Sequence, residues 1–344
     1  EKIISVQEQN NLTFEDVILL TREIIEKIDS RIMSSYLPTK DESQKCKERI
    51  KEFKEKHYLN KANSTDEKWN VYINNLKQAE LIKNYPYITD VYYDGSFNYT
   101  NIDEYITNIS EDLIRLSEIL PDKEIVWILP QILLDKELPH IGEIIVKLKF
   151  KNINIKIQTD NIGVAKNLDV EAYGNHLNIY NNYSIKKLSQ DPEFKRLQIS
   201  NEISYDDIKL LKNTDCELEY TIFGHIQLMI TKDNFNDIID EEITNTYHII
   251  DKRNNDYLIK KDCYNNSHIY DYRTLNLEDY LEKLRKTEID NFTIDCRFFN
   301  INDTNSIIDH FQNVKNNEKR EKLSLNSSYN PFIGNIEKGV YKNN

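Results

Sequence analysis

The sequence predicts an α/β protein. Its main body reads as a (β/α)8, TIM-barrel-like domain with a small β insertion before the last strand and a helical segment in front. Three observations lead there. Eight short β-rich runs alternate with amphipathic helical stretches, the signature of repeated β-α-β units. No GxGxxG turn follows any of these runs, as it would in an open dinucleotide-binding sheet. Glycine is scarce, seven in 344 residues, yet Gly95, Gly163 and Gly224 each stand within a few residues of the C-terminal end of a β run. That is where α/β folds place their sites. Alternation alone also fits a doubly wound open sheet, and the count of eight selects the barrel.

In chain order, residues 1–65 form the helical segment. Thr13 and Asp16 make a T-x-x-D capping start, after which Phe14, Val17, Ile18, Leu20, Ile24, Ile25 and Ile28 recur at helical spacing. Pro38 interrupts, a second, charged helix covers about 41–57, and ANSTDE (62–67) reads as a linker. The barrel occupies 66–317. Its strands are WNVYI (69–73), DVYYD (90–94), EIVWILP (124–130), NIKIQT (154–159), HLNIY (176–180), RLQIS (196–200), LEYTIFG (218–224) and NFTIDCR (291–297). Helical patterns fall near 75–85, 102–120, 135–150, 161–167, 183–190 and 204–213. Alternation breaks at 236–275, where Asn254 and Asn255 join two β runs as a hairpin turn would; this is the insertion. The tail, 318–344, is rich in Asn, Lys and Ser, and its last two glycines suggest one more ordered turn.

The net charge of −13 is spread along the chain, so a phosphate backbone is repelled and nucleic acid is not the expected partner. KLKFKNINIKI (147–157) is the one modest basic stretch. No run reaches the roughly 20 apolar residues of a membrane span, and EKIISVQEQNN lacks the pattern of a signal peptide. The chain starts at Glu1, which suggests a longer polypeptide whose N-terminal part is missing here. Cys46, Cys216, Cys263 and Cys296 lie far apart without CxxC spacing, as expected for reduced thiols in the cytoplasm.

A closed barrel brings the C-terminal ends of its strands to one mouth. That gathers Tyr93 and Asp94, Gln131, Asp160 and Asn161, Asn178 and Asn181, Asn201 and Glu202, Gly224 and His225, and Asp295 with Arg297. Glu202 and His225, on neighbouring strands, are the candidate acid–base pair, since a carboxylate can orient an imidazole and tune it toward neutrality. The alternative is that Glu202 caps the helix starting at Ser204 while His225 lies on the surface. Asn178, Asn181 and Asp160 are candidate substrate contacts. Asp295 and Arg297 alternate with Ile294 and Cys296, so they share one side of the last strand, either as a structural ion pair or as part of the pocket. No HExxH motif, Cys/His cluster, EF-hand, Walker loop or GxSxG is present, and no metal site is expected.

TDNIG (159–163), HLNIYNNYS (176–184), LQISNEIS (197–204), LEYTIFGHIQLM (218–229) and FTIDCR (292–297) occur in this order. The set resembles peptidase family U-32, the collagenase-like peptidases, and PFIGNIEKGV (331–340) is similar to that family's closing motif. The resemblance implies a barrel enzyme of peptidase type acting on a peptide-like or small polar ligand. Other branches resemble oxygen-independent hydroxylases of RNA bases or quinone precursors, with a four-iron four-sulfur cluster on four cysteines near the insertion. Here Lys232, Asp233 and Asn234 stand where the first of these belongs, and only Cys263 falls in a ligand position. One thiolate cannot hold such a cluster, so no cofactor is expected. Two alternatives stay open: a cluster-free binding or scaffold module, and a hydroxylase part whose ligands lie on the missing N-terminal portion.

Overall fold

The computed structural model describes residues 13–57, 67–168, 171–212, 216–233, 246–316, 318, 323–325 and 331–333. The chain divides into two compact units, residues 1–60 and 61–344.

The first unit holds α1 (Phe14–Tyr36) and α2 (Lys40–His57). The T-x-x-D start closes as a reciprocal cap: the Asp16 amide donates to Thr13 Oγ1 at 3.2 Å, and the Thr13 amide donates to Asp16 Oδ2 at 2.9 Å. Pro38 lies in the break between the two helices, and no residue of α1 is buried.

The second unit contains β1 (Lys68–Ile73), α3 (Leu76–Ile82), β2 (Ile88–Tyr93), α4 (Ile102–Ile119), β3 (Glu124–Ile128), α5 (Leu138–Phe150), β4 (Lys156–Thr159) and α6 (Ile162–Asn167). It continues with β5 (Ala172–Ile179), α7 (Asn182–Ser189), β6 (Phe194–Ile199), α8 (Tyr205–Ile208) and β7 (Glu217–Thr231). Next come β8 (Thr246–Ile250), β9 (Asp256–Lys261), β10 (Ser267–Asn276), α9 (Leu281–Leu284), β11 (Asn291–Asp295), α10 (Ile301–Lys315) and β12 (Pro331–Ile333). Strands β1 to β7 pair in sequence, all parallel. β11 pairs in parallel with β1 on one side (Trp69 with Phe292) and β7 on the other (Phe292 with Tyr220). The sheet closes on itself as an eight-stranded parallel barrel, the expected (β/α)8 fold.

The two faces of each strand do different work. Outward residues such as Trp69, Val71, Ile73, Trp127, Leu197, Leu218 and Ile294 are buried in the large core with Leu113, Ile141, Ile307 and Phe311 of the surrounding helices. Inward residues are mostly polar: Asn70, Asp90, Gln158, Arg196, Glu219, Asn291, Thr293 and Asp295 are all buried. Only a small apolar cluster of Tyr72, Tyr92, Val126, Ile128 and Tyr173 fills the lumen beside them. Barrel interiors are commonly packed with branched aliphatics, and this one is a hydrogen-bonded column instead.

The insertion is a three-stranded antiparallel extension: β10 runs along the end of β7 (Ser267 with Thr231), and β9 and β8 follow outward. The hairpin turn falls at Asn254, whose φ of 61° is left-handed. Residues 234–245, the start of the expected insertion, lie outside the described residues, as do 334–344 with the expected closing turn. β12 adds to β10 in parallel, Pro331 beside Thr274.

Several boundaries differ from the sequence reading, and β7 runs on to Thr231 instead of ending at 224. β5 begins at Ala172 rather than at 176, because the backbone turns left-handed at His176 (φ 45°) and Asn178 (φ 55°), so HLNIY is the irregular end of the strand. The helix expected over 204–213 is one turn, Tyr205–Ile208, capped by Ser204 Oγ on the Asp207 amide at 3.2 Å.

Candidate functional site

The polar column ends at the C-terminal rim in a cleft of about 150 Å³. Its floor is Tyr72, Gln198 and Thr221, and its walls include Asn175, His176, Asn178, Tyr180, Asn201, Glu202, His225, Asp295 and Arg297. The cleft is smaller than the roughly 300 Å³ of a drug-sized pocket, a size for one residue-sized group. The left-handed residues His176 and Asn178 both line it. For non-glycine residues such backbone costs on the order of 1 kcal/mol or more, and strain of this kind clusters at functional sites.

Beneath the floor, Glu219 accepts hydrogen bonds from Tyr72 Oη at 3.1 Å, from Thr293 Oγ1 at 2.8 Å and from the Tyr92 hydroxyl. Burial pushes its carboxyl up, opposed by the nearby Arg196 guanidinium and these hydroxyls. Arg196 spans the lumen. It donates to Asp90 Oδ2 (2.6 Å) and Tyr92 Oη (2.7 Å) through Nη1, and to Glu217 Oε2 through Nε (2.9 Å) and Nη2 (2.6 Å). Its Cζ lies 4.3 Å from the Tyr173 ring centre. Burial opposes ionisation of Glu217, but Arg196 and Lys68 prevail and hold it down at about 2.

At the rim, Arg297 pairs with Asp295 through Nε (3.0 Å) and Nη2 (2.7 Å) and reaches Asp94 Oδ2 through Nη1 at 2.8 Å. Gly224 makes this possible. Its φ is +132°, and a Cβ there would sit 2.5 Å from Asp295 Cβ, so only glycine lets β7 approach β11 so closely.

The two candidate catalytic groups both line the cleft, but their hydrogen bonds lead away from each other. Glu202 is exposed and accepts from Tyr180 Oη at 3.1 Å; the helix cap considered for it belongs to Ser204. His225 places Nδ1 3.1 Å from the Asp271 carbonyl oxygen, and its ring stacks on Phe299 at 5.3 Å and 15°. A carbonyl only accepts, so Nδ1 carries the hydrogen and Nε2 keeps its lone pair. Burial pushes this imidazole below 6.5, so it is neutral at pH 7.

Other expected residues distribute unevenly. Asn178, Asp295 and Arg297 line the cleft. Asp160 acts through a neighbour, with its Oδ2 3.0 Å from Nδ1 of His176, which does line it. Asn181 caps α7, accepting from the amides of Tyr183 (2.9 Å) and Ser184 (3.1 Å), and is not in the cleft wall. Asn161 caps α6 in the same way. Tyr93 faces outward, donating to Asp112 Oδ2 at 2.8 Å. The sequence reading missed His176, Tyr72, Gln198 and Thr221. The last three are marked by alternation, since each is a polar position two residues from another along its strand.

Among the described residues, no group of three His, Cys, Asp or Glu side chains could hold a metal ion. A four-cysteine cluster does not fit this chain. None of its four cysteines forms a disulfide, only Cys263 stands in the insertion, and burial together with Asp262 pushes that thiol away from the thiolate a cluster needs. No helix among them is long and apolar enough to cross a membrane.

Fold and rim together define a (β/α)8 barrel with a polar cleft at the C-terminal ends of its strands. Residues 110–338, more than half of the chain, match the sequence profile of peptidase family U32: the chain belongs to that family. Among solved structures it is similar to the U32 peptidase Mk0906, at 8% identity over 69% of this chain and 95% of that one, with a TM-score of 0.36. Similar too is the YdjI aldolase from Escherichia coli K12, at 8% identity over 75% and 83%, TM-score 0.36. A mandelate racemase/muconate lactonizing enzyme from Roseiflexus sp. matches at 10% identity and TM-score 0.33 over 46% of this chain, which spans only 48% of that protein. No curated protein matches the chain.

Proposed function

We propose that the cleft binds a peptide-like or small polar ligand and hydrolyses an amide bond in it, the activity the family's name implies. His225 Nε2 takes the proton from the attacking water and returns it to the amine nitrogen as the C–N bond breaks, and Glu202 holds the ligand. The Asn178 and Asn201 amides serve its carbonyl and N–H groups, and the Asp295–Arg297 pair frames one wall. The observation that carries this reading is the fixed tautomer of His225: a neutral imidazole with an accepting nitrogen, on a residue that lines a cleft of amide side chains. Such a base contributes about 100-fold or more to a hydrolysis. The test is incubation with a peptide library read by mass spectrometry. Wild type is expected to cleave, and His225→Gln to lose about 100-fold in kcat. A wild-type protein that leaves every peptide intact refutes the reading.

One observation favours a second reading, a cluster-free binding module: Glu202 and His225 each bond elsewhere rather than to one another. Such a module binds the same ligands without turnover and purifies without iron under anaerobic conditions. Four cysteines without a disulfide suit a reducing compartment such as the cytoplasm in either case.

A further inference from the structure

The charges around the cleft are not balanced. Its one guanidinium, Arg297, is already held by two carboxylates, with Asp295 bound at 2.7 Å and Asp94 at 2.8 Å. Asp160 is engaged by His176 at 3.0 Å. Glu202 differs from all of these: its hydrogen bond comes from the neutral Tyr180 hydroxyl, and among the described residues no cation pairs with it. Carboxylates therefore outnumber cations at this mouth, in a chain whose net charge is −13. An anionic ligand would be repelled both by the local groups and by the field of the whole protein. A cation entering the cleft finds a carboxylate whose charge is uncompensated, beside a tyrosine ring and amide oxygens that can replace its water.

We propose that the cleft selects a ligand carrying an ammonium or guanidinium group, and that Glu202 is the residue that reads this charge. The proposal rests on the cleft being the ligand site, as argued above, and narrows the ligand to peptide-like molecules with a free amino terminus or a basic side chain.

The test is calorimetric titration of the full chain with three probes: Ala-Ala-Ala amide with a free amino terminus, its N-acetyl form, and N-acetyl-Ala-Lys-Ala amide. At least one charged probe is expected to bind about tenfold tighter than the neutral one, and the stronger of the two tells terminus from side chain. Glu202→Gln is expected to bring that probe down to the neutral level without lowering the melting temperature, since the side chain is exposed. Equal affinity for all three probes overturns the proposal and leaves the cleft as a ligand site. A preference that survives in Glu202→Gln overturns the role given to Glu202. Absence of binding by any probe overturns the proposal together with the cleft.

Discussion

Arg196 in the lumen and Arg297 at the rim belong to the same barrel and meet the same kinds of partner, but they sit in different company. Arg196 is closed in by Asp90, Glu217, Tyr92 and the Tyr173 ring, and Glu219 below the floor is met by three hydroxyls. The polar groups around it are largely spent on one another. Arg297 is saturated too, by Asp295 and Asp94, but its neighbours in the cleft keep capacity to spare: Nε2 of His225, the carboxylate of Glu202, and the amide of Asn178. The column is structural because its bonding is almost wholly used up, with Gln158 Oε1 the buried acceptor left over. The rim is a candidate site because its bonding is not.

The largest effect that would break this contrast is removal of Arg196. Arg196→Leu leaves Asp90 in the lumen without its cation and Glu217 with Lys68 alone, and chemical denaturation should show a loss of about 3–5 kcal/mol. A loss below 1 kcal/mol would mean that the column is wetter and looser than described. Next is Gly224→Ala, which places a Cβ against β11 in a left-handed backbone; about 2–3 kcal/mol should go, with β7–β11 amides losing hydrogen-exchange protection.

The two regions should also part on acidification. Glu217 titrates near 2 when folded, well below its unfolded value. Its contribution is therefore complete above about pH 4.5 and is lost as pH falls toward 2, worth about 2 kcal/mol once its partial exposure is discounted. His225 has the opposite charge type and a folded value below 6.5. The unfolded chain takes up its proton first, so stability declines as pH falls below about 6.5, and any His225-dependent turnover declines only lower, where the folded imidazole itself takes up a proton. His225→Gln should remove that higher step from a pH titration of the melting temperature and leave the Glu217 step. Smallest is Glu202→Gln, which should change stability by less than about 0.5 kcal/mol while altering ligand binding. A larger loss would move Glu202 from the site to the scaffold.

Much of the fold was legible because periodicity is local. The T-x-x-D cap, the eight β runs and the Asn254 turn each depend on neighbours within a few residues, and each stands where the pattern puts it apart from shifted strand ends, those of β5 and β7 above all. The lumen was equally written in the chain. Carboxylates and hydroxyls recur at every second position, as in Asp90, Tyr92, Asp94 and in Glu217, Glu219, Thr221, opposite Val91, Tyr93 and Leu218, Tyr220 of the outer core. Attention to strand ends alone passes over that stripe.

What sequence by itself determined was therefore the alternation of elements, the inside and outside of each strand, and which strand ends carry side chains to the barrel's C-terminal rim. Only the tertiary structure decided which of those side chains are free. Asn181 and Asn161 are consumed by helix caps, Asp160 by His176, and Asp295 by Arg297, while Glu202 and His225 turn away from each other. A hydrogen bond fixes its partner by distances of a few ångströms between residues that may be 200 positions apart, as Arg297 and Asp94 are. No local pattern encodes that pairing; closure of the ring creates it.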